Sequence, residues 1–277
     1  MTFGGIMLQN LHTHCTFCDG KDTPREMIER AIDLGFDSIG FSSHASTPRK
    51  SNCELGERAD AYHGEISRLK GEYADRIKIF LGTELDVYSA GCYPDFPYDY
   101  KIGSAHLAMY GGQFITYDLS YESSVKCLTE YLGGDRELYV KLYFETLADM
   151  KNRIDFDFVG HFDLLTKFSE KHPDFIDIES KKYKSLAIEA LAALREGCEF
   201  FEVNTGAIGR GHRTTPYPAP FILREMRERG CKLILSSDCH NRDFLDCHFG
   251  ETKEYLLANG ISELYYLTDK GFVGEKI

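Results

Sequence analysis

The sequence predicts an α/β barrel, with parallel strands inside, helices outside and its chemistry gathered at one end. Three observations lead there. A chain of 277 residues, 43% hydrophobic and 27% charged, suits one globular domain of the ~250 residues that such barrels occupy. Short apolar runs alternate with stretches of helical periodicity from end to end, in seven units, with no repeat, linker or low-complexity tract between them. That alternation is the pattern of a parallel sheet wrapped in helices. Finally, each apolar run leads into a histidine, a carboxylate or an asparagine. In a parallel barrel those ends lie on one face.

The elements follow in order. A first strand, Ile6 to Leu11, ends at His12. A helix then starts with Thr23 as cap, Pro24 in its first turn and Glu26 completing a capping box. Met27, Ile28, Ala31 and Ile32 give it one apolar face, and Gly35 stops it. Ser38 to Phe41 reads as a second strand, followed by a helical stretch from Leu55 to Tyr73. Ile77 to Leu81 and Tyr100 to Gly103 form the third and fourth strands, and helical segments occupy the span from Tyr121 to Lys151. The fifth strand is Phe156 to Val159. The clearest amphipathic helix puts Tyr183, Leu186, Ala187, Ala190, Leu191 and Leu194 on one side and ends at Gly197. Phe200 to Val203 and Lys232 to Leu235 complete seven strands, separated by a helix from Phe221 to Arg229. A last helix is expected from Glu251 to Asn259, with a further strand from Glu263 to Leu267. The whole of 1–277 is expected to be a single domain.

What lies at the strand ends carries the functional reading. The first strand leads to His12 and His14, the second to His44, the third to Glu84, the fourth to His106 and the fifth to His161. Asn204 follows the sixth, and Asp238 and His240 follow the seventh. Residues two apart leave an extended segment on the same side, so His12 and His14 point together, as do Asp238 and His240. Imidazole and carboxylate donors suit zinc, iron and manganese, and a carboxylate such as Glu84 can bridge two ions. A lone histidine is ordinarily a hydrogen-bonded or surface group. Six of the ten histidines at strand ends, with acids between them, point to metal instead. His63, His172 and His248 fall in helices or loops and read as structural, whereas His212 sits in the loop after the sixth strand.

Charge and cysteine usage narrow the partners. The net charge of −12, from 44 acidic and 32 basic residues, repels phosphate backbones and argues against nucleic acid or an anionic membrane. A small phosphorylated substrate stays compatible, because bound cations reverse the local sign. No apolar run nears the ~20 residues that span a bilayer, and no leader-like pattern opens the chain. Cys15 and Cys18 form a C-x-x-C pair that has no second pair to complete a zinc site, so packing is its plainer role. With nine scattered cysteines, reduced thiols and a cytoplasmic location are expected.

The order H-T-H (12–14), C-D-G (18–20), S-S-H (42–44), G-T-E (82–84), G-S-A-H (103–106), G-H-F-D (160–163), E-V-N-T (202–205) and S-S-D-C-H (236–240) resembles the polymerase-and-histidinol-phosphatase (PHP) superfamily. The likeness spans nearly the whole chain. The stretches L-G-F-D-S-I-G-F-S-S-H, G-H-F-D-L-L-T-K-F and N-T-G-A-I-G-R-G-H-R-T-T-P-Y-P look most like its histidinol-phosphatase branch. The resemblance implies a distorted seven-stranded (β/α) barrel holding three divalent metal ions, zinc, iron or manganese. The first would take His12, His14, Glu84 and Asp238. The second would share Glu84 and add His106 and His161, and the third would take Asp19, His44 and His240. Relatives often place a histidine near Asp19 and an acid before the second-strand histidine; here the turn is C-D-G, and Ser43 stands before His44.

The activity implied is hydrolysis of a phosphomonoester, histidinol phosphate, by a metal-bound hydroxide. Glu84, Asp238 and His240 are the candidates for the chemistry itself, with Arg210 and Arg213 as phosphate-binding cations and Lys167 as a weaker one. Asp163 and Asp118 are candidates to attract the substrate ammonium, and Tyr117 or Phe162 to stack on its ring. Two alternatives remain at this stage: the same fold acting on a phosphotyrosine or nucleotide, and a non-catalytic metal-binding barrel. The latter fits poorly, since structural zinc sites close with four ligands that usually include cysteine.

Overall fold

A strand that is apolar throughout has no solvent face, and parallel strands covered by helices are the arrangement that buries both sides. The computed structural model, which describes residues 7–277, follows that logic. Its strands are β1 (Gln9–Asn10), β2 (Ser38–Phe41), β3 (Lys78–Asp86), β4 (Tyr100–Ser104), β5 (Leu107–Tyr110), β6 (Gln113–Thr116), β7 (Phe158–Val159), β8 (Phe200–Asn204), β9 (Lys232–Ser236), β10 (Glu263–Thr268) and β11 (Gly271–Lys276). Seven of them form one sheet in the order β1-β2-β3-β4-β7-β8-β9, with every neighbouring pair parallel. The two edges meet above the ladder. Thr13 bridges Cys239 in parallel register, the His14 N–H donates to the Cys239 carbonyl at 2.9 Å, and Asn10 Nδ2 donates to Ser237 Oγ at 2.6 Å. The sheet is thus a nearly closed barrel. Ile6, the first residue of the expected first strand, lies outside the described residues.

The helices are α1 (Pro24–Asp33), α2 (Ala59–Glu72), α3 (Tyr121–Lys126), α4 (Arg136–Arg153), α5 (Lys181–Arg195), α6 (Gly206–Gly209), α7 (Pro220–Glu228) and α8 (Phe249–Ala258). At the start of α1, Thr23 and Glu26 form the reciprocal capping box read from the sequence. The six residues expected on one face of α5 are all buried. None of the described helices is long and apolar enough to cross a membrane.

Inside the staves, Leu11, Phe80, Tyr100, Ile102, Phe158 and Ile234 form a separate apolar cluster that also takes in Leu267. Tyr100 lies flat across two glycines. A β-carbon at Gly82 would stand 2.3 Å from its ring, and one at Gly40 2.4 Å from its hydroxyl.

Two features lie outside the seven staves. The expected Glu263–Leu267 strand forms as β10, separate from the barrel sheet. It pairs antiparallel with β11, because β9 already closes against β1 and leaves no edge to extend. This hairpin lies across the N-terminal end of the barrel, where Leu267 joins the interior cluster and Phe272 packs on Phe158 and Phe200. The second feature is a small hairpin, β5–β6, which begins directly after His106.

Candidate metal centre

Six of the seven staves deliver donors to the C-terminal mouth. His12 and His14 follow β1, His44 follows β2, His106 follows β4, His161 follows β7, and Asp238 and His240 follow β9; Asp19 comes from the turn between β1 and α1. Glu84 differs from expectation in lying within β3, which runs to Asp86. There it is the hub. Its Oε2 lies 2.9 Å from His44 Nδ1, 3.2 Å from His12 Nε2 and 3.5 Å from His14 Nε2. Its Oε1 lies 2.9 Å from His161 Nε2 and 3.2 Å from His106 Nε2. Asp238 Oδ1 stands 3.2 Å from His14 Nε2 and 3.5 Å from His12 Nε2. Asp19 Oδ1 stands 3.3 Å from His240 Nε2 and 3.7 Å from His44 Nε2.

These nine residues fall into four overlapping groups whose donor atoms lie within 4.8 Å of one another: His14, Asp19, His44 and His240; His12, Glu84 and His161; His12, His14 and Asp238; His44, Glu84 and His106. The partition differs from the one implied by resemblance. His14 reaches toward Asp238 with one nitrogen and toward Asp19 with the other, and His44 is shared between Asp19 and Glu84.

The donors fit divalent cations. Buried polar atoms normally find a hydrogen-bond partner, yet His12 Nε2, His14 Nε2, Asp19 Oδ1 and Glu84 Oε2 have none. All four belong to the converging groups, and a mixed imidazole and carboxylate set suits zinc, iron or manganese. The acids and imidazoles balance one another: burial would lower His12, His44 and His106, but the facing carboxylates raise them. Burial would raise the Glu84 carboxyl, but His12, His44 and His106 hold it well below the usual range. Burial would also raise Asp238, which Arg210 and His12 hold down. Burial, then the neighbouring His240 and His44, push His14 down to about 3. Its imidazole is therefore neutral, the form that binds metal.

Asp238 also adopts a left-handed backbone, with φ of 47°, a conformation that costs a non-glycine residue about 1–3 kcal/mol and persists where its surroundings dictate it. Arg210 provides one restraint, donating from Nη2 to Asp238 Oδ2 at 2.8 Å and from Nη1 to the Asp238 carbonyl at 2.7 Å.

The donor cluster opens onto a cavity of about 300 Å³ whose walls include Arg210, Lys167, Asp118, Leu107, Leu119 and Leu164. Lys167 Nζ donates to the Asp118 carbonyl at 2.7 Å. Other sequence candidates lie elsewhere. Arg213 is buried behind the wall, its guanidinium over the Tyr217 ring at 4.4 Å and hydrogen-bonded to Thr166. Asp163 is fully buried, 3.9 Å from Arg213, and accepts from the Ala219 N–H at 3.0 Å. Tyr117 and Phe162 belong to the hydrophobic core. None of these four is among the residues that line the cavity.

Asn204 spends its amide on Glu202 Oε2 and the Gly206 N–H. His63 stacks on Phe96 and bonds Tyr98, and His172 stacks on Tyr121. His248 lies near Glu251 on the surface, and His212 packs edge-on to Phe168. Cys15 and Cys18 are free and buried, with Cys18 Sγ 3.5 Å from His14 Nδ1.

Two carboxylates at the site escaped the sequence reading. Glu202, on β8, lies 2.7 Å from His12 Nδ1. Asp86 accepts from the His106 N–H at 2.8 Å. The signal was the period of two: Glu202 precedes Asn204, and Asp86 follows Glu84, by the spacing that sends both side chains to one face.

Known proteins share this arrangement. The family model described as the PHP domain matches residues 10–206. The chain is similar to a probable histidinol-phosphatase of Deinococcus radiodurans, 30% identical over 83% of this chain and 85% of the other. It is also similar to the histidinol-phosphatase of Bacillus subtilis, 27% identical over 83% and 92% respectively. Its fold matches that of histidinol phosphate phosphatase from Lactococcus lactis, solved with zinc, L-histidinol and phosphate, at a TM-score of 0.73 and 20% identity, over 96% of this chain and 98% of that one. The matched segment holds seven of the nine converging residues, and on these grounds the chain belongs to the PHP domain family, in the branch that contains the histidinol phosphatases.

Proposed function

We propose that the protein is a histidinol-phosphate phosphatase, hydrolysing L-histidinol phosphate to L-histidinol and inorganic phosphate in the cytoplasm. The observation that carries the reading is the convergence of nine imidazole and carboxylate residues, seven of which line one open cavity. Relatives of near-full length named histidinol-phosphatases support the choice of substrate. Free, mostly buried thiols suit a reducing compartment.

We assign His12, His14, Asp19, His44, Glu84, His106, His161, Asp238 and His240 as ligands of three divalent ions, with zinc, iron and manganese as the candidates. Divalent cations held there supply Lewis-acid polarisation of phosphoryl oxygens and make water a nucleophile near neutral pH. The protein's own residues do the rest. Arg210 and Lys167 give the cavity wall two fixed positive charges beside the donor cluster, suited to a phosphate dianion. Arg210 also holds Asp238 in place, so the group that attracts the substrate is tied to a metal ligand. On the same wall Asp118 supplies a negative charge for the substrate ammonium, and Leu107, Leu119 and Leu164 offer apolar surface to the imidazole.

The test is phosphate release from a panel of histidinol phosphate, phosphotyrosine and nucleoside monophosphates. A kcat/KM for histidinol phosphate at least about 100-fold above the others is expected, a ratio equivalent to about 2.7 kcal/mol. Preference for phosphotyrosine or a nucleotide would overturn the substrate, and activity in protein free of metal would overturn the ligand assignment.

A further inference from the structure

Glu202 has the densest set of polar contacts next to the donor cluster, and it belongs to none of the metal-holding groups. It is completely buried. Oε1 lies 2.7 Å from His12 Nδ1 and accepts from Ser236 Oγ at 2.8 Å. Oε2 accepts from the His161 backbone N–H at 2.6 Å and from Asn204 Nδ2 at 2.9 Å. One carboxylate thus joins residues from β8 and β9 and from the segments after β1 and β7, all at the level of the metal centre. A carboxylate is an acceptor only, so the His12 nitrogen facing it carries the proton. The other nitrogen, Nε2, is buried without a hydrogen-bond partner among the converging donors.

We propose that Glu202 is a positioning residue for the metal centre: it fixes His12 with Nδ1 protonated and Nε2 turned to the cation, and it anchors the backbone from which His161 projects. The inference rests on the ligand assignment above and adds to it the residue that orients two of those ligands. Carboxylates that orient metal-bound histidines typically change metal affinity about 10- to 100-fold when removed. Glutamine at 202 keeps the size of the side chain. It loses the charge and replaces one acceptor with a donor, which cannot serve both Ser236 and His12, or both Asn204 and the His161 N–H, as the carboxylate does.

The experiment compares wild type, Glu202→Gln and His12→Ala, each stripped of metal and titrated with zinc against a chromophoric chelator. Thermal unfolding of the stripped proteins is measured in parallel. The expected result is a 10- to 100-fold loss of zinc affinity at one site in Glu202→Gln, matching the site lost in His12→Ala, with a smaller or no change in metal-free melting. Unchanged zinc affinity in Glu202→Gln, beside a wild type that binds zinc and releases phosphate, would overturn the positioning role alone. A wild type that neither binds zinc nor releases phosphate would overturn the ligand assignment beneath it.

If Glu202→Gln fails to fold, wild type still decides the matter. Long-range ¹H–¹⁵N spectra of zinc-loaded protein with ¹⁵N-labelled histidine report which nitrogen of each ring holds the proton. The His12 signal, identified by its loss in His12→Ala, must show Nδ1–H. A proton on Nε2 would overturn the proposal.

Discussion

At the residue scale, the candidate site separates side chains that meet the substrate from those that hold the wall. His14 is buried between Asp238 and Asp19, and its removal takes a donor from two of the four groups. His14→Ala is expected to lower kcat by about three orders of magnitude, equivalent to about 4 kcal/mol of barrier, with circular dichroism unchanged; activity within a few-fold of wild type would remove His14 from the ligand set. The two arginines should part company. Arg210 faces the cavity, so Arg210→Ala should raise KM about tenfold or more, and Arg210→Lys should recover little of the loss, because lysine cannot span the Asp238 carboxylate and its carbonyl together. Arg213 faces the interior, beside Asp163 and Tyr217. Arg213→Ala should leave KM within about twofold but cost about 3 kcal/mol in urea unfolding, the usual penalty for stranding a buried partner charge. Sequence position placed both arginines after the same strand and had no means to tell inward from outward in an irregular loop.

Among the elements, legibility followed periodicity. The apolar stripe of α5 and the capping box of α1 are written in local spacing, and both appear where the spacing puts them. Strand ends that carry His12, His44, His106 and His161 were equally plain, since imidazoles recurring after successive apolar runs have few uses besides holding metal. Glu202 was harder to see because an acid inside a strand usually marks the solvent face, and only the barrel interior reverses that meaning. The β5–β6 hairpin left its mark in Gly111 and Gly112, both with positive φ, as two-residue hairpin turns require. Its strands of four residues each were too short to show alternation. The β10 strand was legible as a strand but not as a hairpin arm, since its partner β11 carries four glycine or charged positions among six. Packing also makes a prediction here. Gly82→Ala would drive a methyl into the Tyr100 ring, so it should destabilise the protein by about 1–3 kcal/mol. Tyr100→Leu should relieve much of that cost in the double variant, a coupling that a double-mutant cycle measures directly.

For the molecule as a whole, the proposed ligand set would make folding and metal binding share one set of residues, because the converging donors come from six staves and the turn after the first. Bound cations should therefore hold the mouth of the barrel together. Stripping them with a chelator is expected to lower the melting temperature, and restoring zinc at about 1,000 times its dissociation constant should return about 4 kcal/mol of stability. A melting temperature indifferent to metal would place the ions outside the fold. The opposite end of the barrel has its own consequence. With the β10–β11 hairpin packed across it and Leu267 in the interior cluster, the described residues cover that end, and the donor cluster opens on the cavity at the mouth. Whatever enters first and deepest must leave last. On the proposed ligand assignment the phosphoryl end of the ester faces the donors at the floor, so the freed alcohol is expected to depart ahead of the inorganic ion. Phosphate then contests the empty enzyme with fresh substrate and inhibits competitively, while the alcohol inhibits noncompetitively. An exchange of those two patterns would reveal a back exit through the hairpin.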